Sequence, residues 1–319
     1  MQGFSASVRA ELARVRAKDE CCARAELAGM IRAAGSLYLT GQRSVGLSVQ
    51  TEYADVARKA VTLLRTVAGL GAEVVVEEHT QLRQGRAYRI RLAPEPGVRR
   101  LLLELGILSA DGQLLPDLPG SLLRKDCCRA SFLRGAYMMH GSVCDPSRSG
   151  YHLEIVASGE DFGLGLCYLL NLIHLKARLE RRKDQHVVYM KDADDIALFL
   201  SLTGAQAARL RLEEVRVVKE VRGGVNRLVN AETANLDKSA AAAVEQLRLI
   251  ELLKTRGLLN VLPANLRQVA EARLANPEAT LAELGQFLQR PASKSAVNHR
   301  LRKLRRLAEA LLGEEGRRG

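Results

Sequence analysis

Residues 27–35 read LAGMIRAAG, and residues 133–141, which lie 106 positions further along the chain, read LRGAYMMHG. In this register the first leucine, the internal glycine and the closing glycine of each stretch coincide. The cysteine doublets Cys21-Cys22 and Cys127-Cys128 also lie 106 positions apart. This number of matches in a single register indicates an internal duplication.

The segments around the two stretches have the same order of predicted elements. Each begins with a helix that ends at the closing glycine, followed by two strands, a helix, two strands and a last helix. This order predicts an α+β domain with mainly antiparallel sheets, built from two pseudo-symmetric αββαββα halves. The halves are predicted over residues 1–106 and 126–220, with a connector at 107–125 that contains glycines and prolines.

Gly29 and Gly135 are expected inside helices, where glycine costs about 1 kcal/mol relative to alanine. A close approach of the two helices would be a physical reason to keep glycine at these positions. The two helices are therefore predicted to pack backbone to backbone along a pseudo-two-fold axis.

These stretches resemble the LAGLIDADG motif of homing endonucleases, with residues 133–141 as a degraded second copy. In that family the motif helices form the interface between two αββαββα halves, and the sheets form a saddle on DNA. An acidic residue at the eighth motif position of each helix holds the catalytic divalent cations. Here the eighth positions are Ala34 and His140. Because hard cations need carboxylate oxygens, the resemblance implies a scaffold that has lost its catalytic residues.

The C-terminal region, residues 221–319, is predicted to be an all-α domain that follows a break at Gly223-Gly224. Apolar residues recur at helical spacing over residues 233–256. Another helix is predicted over residues 264–275, because an Asn-Pro pair follows it.

A helix-turn-helix is predicted at about residues 280–306. Thr280 and Glu283 have the spacing of a capping box at the start of its first helix. Residues 289–292 form the predicted turn, and Ser293 is the predicted N-cap of the last helix.

The last helix separates an apolar face from a basic one. Its core-facing residues are predicted to be Val297, Leu301, Leu304 and Ala308. Between Glu283 and Glu309 there are seven Lys or Arg residues and no acid, which favours contact with DNA over a merely solvated face. Asn, Arg and Lys side chains suit base edges in the major groove. The predicted DNA-binding residues are Ser293, Lys294, Ser295, Asn298, His299, Arg300, Arg302, Lys303, Arg305 and Arg306.

Residues 293–304 (SKSAVNHRLRKL) and 226–238 (NRLVNAETANLDK) resemble motifs of the WhiA regulators, as do residues 142–146 and 151–155. Members of that family join a LAGLIDADG-like region to a helix-turn-helix similar to the promoter-reading region 4 of sigma factors. The resemblance implies a sequence-specific DNA-binding transcription regulator linked to sporulation, cell division or chromosome segregation, with no enzyme activity. One departure is His140, which stands where the family usually has a small residue.

The composition agrees with a polyanionic partner, because 319 residues carry a formal net charge of +12. The longest apolar stretch, residues 162–175, is too short and too polar to span a bilayer. We therefore expect a cytoplasmic, nucleoid-associated monomer that binds double-stranded DNA, with a sigma factor or another regulator as a further partner. The six cysteines show no zinc-ligand spacing, so reduced thiols are expected, without a metal or cofactor.

Two alternatives stay open at this point. One is a metal-dependent DNA endonuclease that uses displaced carboxylates, such as Asp145 or Glu26. The other treats the N-terminal domain as a module that binds a protein or a small ligand. Under the leading interpretation, strand arginines add phosphate contacts; the candidates are Arg43, Arg83, Arg86, Arg89 and Arg91.

Overall fold

The computed structural model describes residues 3–40, 44–79, 85–148 and 150–315. The chain divides into two compact units, one that extends to Lys219 and one that starts at Glu220. Among the helices in these ranges, none combines the length and the apolar character that crossing a membrane requires.

The first half of the N-terminal unit packs helices against an antiparallel sheet with the strand order β1-β2-β4-β3. Strands β2 and β4 pair Leu47 with Leu92 and Val49 with Ile90, and these four side chains are buried. Helices α3 and α4 contact this apolar side of the sheet. The elements are α1 (Phe4–Arg14), α2 (Glu20–Ala34), β1 (Gly35–Thr40), β2 (Ser44–Thr51), α3 (Ala54–Ala68), β3 (Glu73–His79), β4 (Gly85–Leu92) and α4 (Pro96–Glu104).

The second half repeats this arrangement, with the strand order β5-β6-β8-β7. Along β6, Leu153, Ile155 and Ala157 are buried and alternate with more exposed residues, as expected for a sheet with one covered face. The two predicted αββαββα halves are thus confirmed. The elements are α5 (Asp126–His140), β5 (Gly141–Val143), β6 (Leu153–Ala157), α6 (Glu160–Leu172), β7 (Arg178–Arg182), β8 (Gln185–Met190) and α7 (Ala193–Thr203).

Helix α1 lies within the predicted first half but precedes the elements that the duplication repeats. Its residues Phe4, Val8 and Leu12 are spaced four apart and form a buried face, and this spacing is a helical signal in the sequence. The helix contacts α3 and α5. It therefore connects the two halves from outside the repeat.

Helices α2 and α5 cross at their internal glycines. A Cβ atom at Gly29 would overlap the backbone of Phe132, and a Cβ atom at Gly135 would overlap the backbone of Glu26. Gly135 and Phe132 lie 106 positions after Gly29 and Glu26, so the two contacts are equivalent in the repeat. The predicted close approach of the two helices is confirmed, and any larger residue at these positions would push them apart.

The C-terminal unit is all-helical. It contains the later part of α8 (Gln206–Thr255), then α9 (Ala264–Ala275), α10 (Leu281–Gln286) and α11 (Lys294–Glu315). Helix α8 continues through Gly223-Gly224, so the predicted break there is wrong. Glycine lowers helix propensity, but unlike proline it keeps its N–H group and clashes with no preceding carbonyl.

Candidate nucleic-acid interface

The helix-turn-helix begins with a capping box at α10. The hydroxyl of Thr280 accepts a hydrogen bond from the backbone N–H of Glu283 at 3.3 Å. The carboxylate of Glu283 accepts one from the backbone N–H of Thr280 at 2.7 Å, and this bond lowers the pKa of Glu283. The predicted capping box is confirmed, and it sets where the helix starts.

The turn between α10 and α11 depends on Gly285. The backbone N–H of Ala292 donates to the Gly285 carbonyl at 3.0 Å, and a Cβ atom at position 285 would overlap the Ala292 backbone. Ser293 caps α11, as predicted, because its hydroxyl accepts from the backbone N–H of Ala296 at 3.3 Å. Gly285 was not predicted from the sequence, although a glycine inside the short apolar run 281–288 is a signal of close packing.

Arg273 fixes the loop that precedes α10. Its side chain is 2% exposed, and Nη1 donates to the carbonyl oxygens of Ala279 at 2.6 Å and Pro277 at 3.4 Å. Burial lowers the pKa of Arg273. This arginine is structural and was not predicted from the sequence. Its signal is a lone charge on the apolar face of α9 beside Val269 and Ala270.

Helix α11 has a buried face and an outer face. The buried residues are the predicted ones: Val297, Leu301, Leu304 and Ala308. They pack with α9 and α10 in a separate apolar core. Because a helix repeats every 3.6 residues, Ser295, Asn298 and Arg302 lie on the side away from that core.

The structure places eight of the ten predicted DNA-binding residues in exposed positions and two in half-buried ones. Asn298 and Arg300 are half-buried. Arg305 lies 2.8 Å from Glu309, from Nε to Oε1, on the helix surface. Within the described part of the chain no ion pair involves the other cations of α11, which are Lys294, Arg300, Arg302, Lys303 and Arg306.

The C-terminal ends of α2 and α5 bring Ala34 and His140 to one cleft of about 450 Å³. Of the described residues that line this cleft, Glu52 is the one carboxylate. The pKa of His140 is lowered by burial and by the charge of Arg9. The two degenerate motif positions thus meet as the duplication predicts, with an alanine and a weakly basic imidazole where a catalytic pair of acids would stand.

A guanidinium occupies the wall of the same cleft. Arg9, from α1, donates from Nη1 to the Tyr53 hydroxyl at 2.8 Å and from Nη2 to the Gly141 carbonyl. Its guanidinium carbon also lies 4.4 Å from the centre of the Tyr53 ring. A fixed positive charge at this place opposes the binding of a divalent cation. Arg9 was not predicted from the sequence, because its partners lie far away in the chain.

The displaced carboxylates of the nuclease alternative are engaged elsewhere. Glu26 is fully buried, with Oε2 at 2.7 Å from Nη2 of Arg134 and Oε1 at 3.3 Å from Nζ of Lys59. Asp145 accepts hydrogen bonds from Ser147, at 2.9 Å from the backbone N–H and 2.7 Å from the hydroxyl. Neither carboxylate lines the cleft at Ala34 and His140.

The strand arginines do not form a common basic face. Arg43 and Arg83 lie outside the described residues. Arg86 lies on the opposite side of β4 from Arg89 and Arg91, because side chains alternate along a strand. These three candidate arginines therefore do not share one face of the sheet.

The described strand arginines also have acidic neighbours. Nε of Arg89 lies 3.1 Å from Glu77, and Nε of Arg86 lies 3.4 Å from Glu78. Arg91 is paired with Glu73 in the strand register. The positive charge of this sheet is therefore largely balanced within the sheet itself.

The outer face of the second sheet has an acid at its centre. Glu154 accepts hydrogen bonds from the Ser142 hydroxyl at 3.2 Å and from Nη1 of Arg182 at 3.0 Å, and it lies 3.0 Å from Nε2 of His152. Arg182 also pairs with Glu180 at 2.9 Å. Both sheets thus carry carboxylates beside their arginines, whereas on α11 Arg305 is the one described cation with an acidic partner.

The fold and the helical site define a two-part protein, in which a duplicated LAGLIDADG-like α+β unit precedes a helix-turn-helix unit. Three family models match the chain: the WhiA N-terminal LAGLIDADG-like domain at residues 20–108, the WhiA LAGLIDADG-like domain at 129–222, and the WhiA C-terminal HTH domain at 225–308. The chain belongs to the WhiA family.

Relatives match over almost the whole length. A protein named probable cell division protein WhiA, from Heliobacterium modesticaldum, is 43% identical over 314 residues, which cover 98% of each chain. The protein of the same name from Bacillus licheniformis is 40% identical, over 97% of this chain and 96% of the relative. The crystal structure of full-length DUF199/WhiA from Thermatoga maritima is similar to this chain with a TM-score of 0.60 and 26% identity, and covers 97% of this chain and 99% of its own.

Proposed function

We propose that this chain is a sequence-specific DNA-binding transcription regulator whose LAGLIDADG-like unit does not cleave DNA. The observation that carries this proposal is the outer face of α11, which presents cations to solvent beside Asn298. Among the described residues these cations have no acidic partner, Arg305 excepted. A helix of this kind after a tight turn is the usual reader of the major groove.

The start of α11 has the side chains that base recognition needs. Asn298 and Arg302 are four residues apart, so both side chains point to the same side of the helix. Asparagine pairs with the N6 and N7 positions of adenine, and arginine pairs with the O6 and N7 positions of guanine. We assign Asn298 and Arg302 to base contacts, with Ser295 beside them.

The remaining cations of the helix suit the DNA backbone. Lys303, Arg305 and Arg306 follow in the next turns and are all exposed. Contacts to phosphates position a protein on the duplex and supply affinity that does not depend on sequence. We assign these three residues to phosphates.

Selection of DNA sites from a random library with the full chain tests sequence recognition. We expect a single enriched motif, and we expect that Arg302→Ala loses the preference at one G·C position while it keeps the rest of the motif. A library without enrichment, or an identical motif for the variant, would contradict base reading by α11.

The absence of cleavage is proposed from the chemistry of the cleft. A two-metal cleavage of phosphodiesters needs a pair of carboxylates, and the described lining of the cleft has Glu52 alone beside the Arg9 guanidinium. Incubation of the full chain with supercoiled plasmid and Mg²⁺ or Mn²⁺ should leave the plasmid intact. Reproducible nicking that Glu52→Gln, Glu26→Gln or Asp145→Asn removes would overturn this part of the proposal.

The genes that the protein controls are proposed to act in cell division, because the relatives that match the chain are named for that process. In the source organism, replacement of the gene by the Asn298→Ala variant should change transcript levels beside the selected sites and alter septum spacing. A normal phenotype with a variant that has lost site binding would contradict this assignment.

A further inference from the structure

The two cysteine doublets meet at the N-terminal ends of the motif helices. Cys21-Cys22 lie in the first turn of α2, and Cys127-Cys128 lie in the first turn of α5. The sulfur atoms of Cys21, Cys22 and Cys128 all lie within 4.8 Å of one another. The sulfur of Cys127 lies within 4.8 Å of the sulfur of Cys22 and of a carboxylate oxygen of Asp19.

The thiols also contact one another across the helix pair. Cys22 interacts with Cys127 and with Ser131, while Cys128 interacts with Cys21 and Cys127. The contacts of Cys22 with Cys127 and of Cys128 with Cys21 each join the first half to the second half. The four sulfurs therefore form one cluster between the two halves, which we call the four-cysteine cluster.

The surroundings of the cluster suit a bound cation that is held by thiolates. Cys22 and Cys128 are buried, whereas Cys21 and Cys127 are half-buried, so the cluster is shielded but still open to solvent on one side. Both helices direct their N-terminal ends toward the sulfurs, and the positive end of a helix dipole stabilises thiolates.

Two thiols of the cluster have raised pKa values. Burial is the first cause that raises the pKa of Cys22 and of Cys128, and the neighbouring thiols raise both further. A divalent cation reverses this balance, because coordination deprotonates a thiol outright.

We propose that the four-cysteine cluster is a zinc site, in which Cys21, Cys22, Cys127 and Cys128 bind a single Zn²⁺ ion. Each thiol gives up its proton to solvent and forms a Zn–S bond of about 2.3 Å, with no change in oxidation state. Tetrahedral coordination at that bond length places the sulfurs about 3.8 Å apart. Cys21, Cys22 and Cys128 already form a compact group, and the side chain of Cys127, which lies near Cys22, has to turn toward the other two sulfurs to complete the site. Four soft sulfur ligands in a tetrahedron are typical of Zn²⁺.

The site differs from the sequence expectation of reduced cysteines without a metal. Zinc-binding cysteines usually come in pairs separated by two to four residues. Here each pair is adjacent in the sequence, and the pairs are 106 residues apart. The duplication and the crossing of α2 and α5 bring them together, so that each half supplies two ligands.

Cobalt binding to the full-length chain tests the proposal. The starting protein is the reduced Cys144→Ser/Cys167→Ser variant, in which the four-cysteine cluster holds the only remaining cysteines. We expect one Co²⁺ per chain with the visible absorption of a tetrahedral thiolate complex, and its loss when Zn²⁺ is added. The further changes Cys22→Ser and Cys128→Ser should abolish the absorption. Absence of the cobalt complex in the starting protein, or its survival after these changes, would overturn the proposal.

A second measurement needs no change in the buried cysteines. Iodoacetamide is added to the reduced unsubstituted chain with and without Zn²⁺, and the labelled cysteines are identified by mass spectrometry. Zinc should protect Cys21 and Cys127, which are half-buried, while exposed Cys144 should react equally in both samples. Equal labelling of Cys21 and Cys127 with and without zinc would overturn the proposal even if the serine variants fail to fold.

Discussion

The charged side chains inside the N-terminal unit have protein partners, whereas most of those on the outer face of α11 are open to solvent. Glu26 is paired with Arg134 and Lys59, and Arg9 donates to Tyr53 and Gly141. On α11 only Arg305, among the described cations, has an acidic partner. The comparison shows which charges hold the fold and which are left for an external polyanion.

The two groups should respond to substitution in opposite ways. A buried charge that loses its partner is costly, whereas an exposed cation adds little to folding stability. Changes in the N-terminal unit should therefore lower the free energy of unfolding and leave DNA affinity intact. Changes on α11 should lower DNA affinity and leave the free energy of unfolding intact.

The largest effect is expected from Glu26→Gln. Arg134 and Lys59 would keep buried positive charges without a carboxylate, so the free energy of unfolding should fall by about 3–5 kcal/mol. Urea unfolding followed by circular dichroism measures this loss. The matched control is Glu20→Gln, whose exposed partner is Arg24, and it should change the value by less than about 0.5 kcal/mol. If both variants lost a similar, small amount of unfolding free energy, the buried pairs would not stabilise the fold more than the exposed one.

The next effect concerns DNA affinity. Asn298→Ala and Arg302→Ala should each weaken binding to a selected site by about 1–3 kcal/mol, with a smaller loss on random duplex DNA. Fluorescence anisotropy on both duplexes measures the difference, and urea unfolding should be unchanged. An equal loss on the two duplexes would move both residues from base contacts to phosphate contacts.

A smaller effect is expected at the start of α10. Thr280→Ala removes the hydroxyl that accepts from the Glu283 N–H, so the C-terminal unit should lose about 1 kcal/mol of stability. Thr255→Ala, an exposed change at the end of α8 in the same unit, is the control and should be close to neutral. Equal free energies of unfolding for Thr280→Ala and Thr255→Ala would show that the capping box does not stabilise this unit.

The smallest effect should have the opposite sign. Gly224 lies inside α8 with open space around its Cα, so Gly224→Ala should stabilise the helix by about 0.5–1 kcal/mol. Gly257→Ala should instead destabilise, because Gly257 has a φ of +72°. The midpoint of thermal unfolding should therefore rise for Gly224→Ala and fall for Gly257→Ala. Destabilisation by Gly224→Ala would indicate that the helix is interrupted there after all.

The sequence predicted what depends on local pattern and on the repeat. The crossing of α2 and α5 followed from two glycines in one register, and the capping box followed from Thr280 and Glu283. The break at Gly223-Gly224 was wrong, because helix-forming neighbours on both sides outweigh the low propensity of two glycines.

What the sequence did not predict depends on contacts between distant residues. Arg9 reaches Gly141 across 132 positions, and Arg134 reaches Glu26 across 108. No local spacing encodes such pairs. The same holds for the strand arginines, since the acids that neutralise Arg86 and Arg89 come from the neighbouring strand β3. The four-cysteine cluster forms because α2 and α5 cross, and the spacing of cysteines along the chain does not reveal that crossing.

The most direct test of the account compares the salt dependence of DNA binding for two multiple variants of the full chain. One carries Lys303→Ala and Arg306→Ala in α11, and the other carries Arg89→Ala and Arg91→Ala in the first sheet. If α11 binds the DNA, the slope of log affinity against log salt should fall by about 0.9 for each phosphate that the α11 variant no longer neutralises. The sheet variant should keep the slope of the unsubstituted chain. An unchanged slope for the α11 variant, with a reduced slope for the sheet variant, would contradict the account.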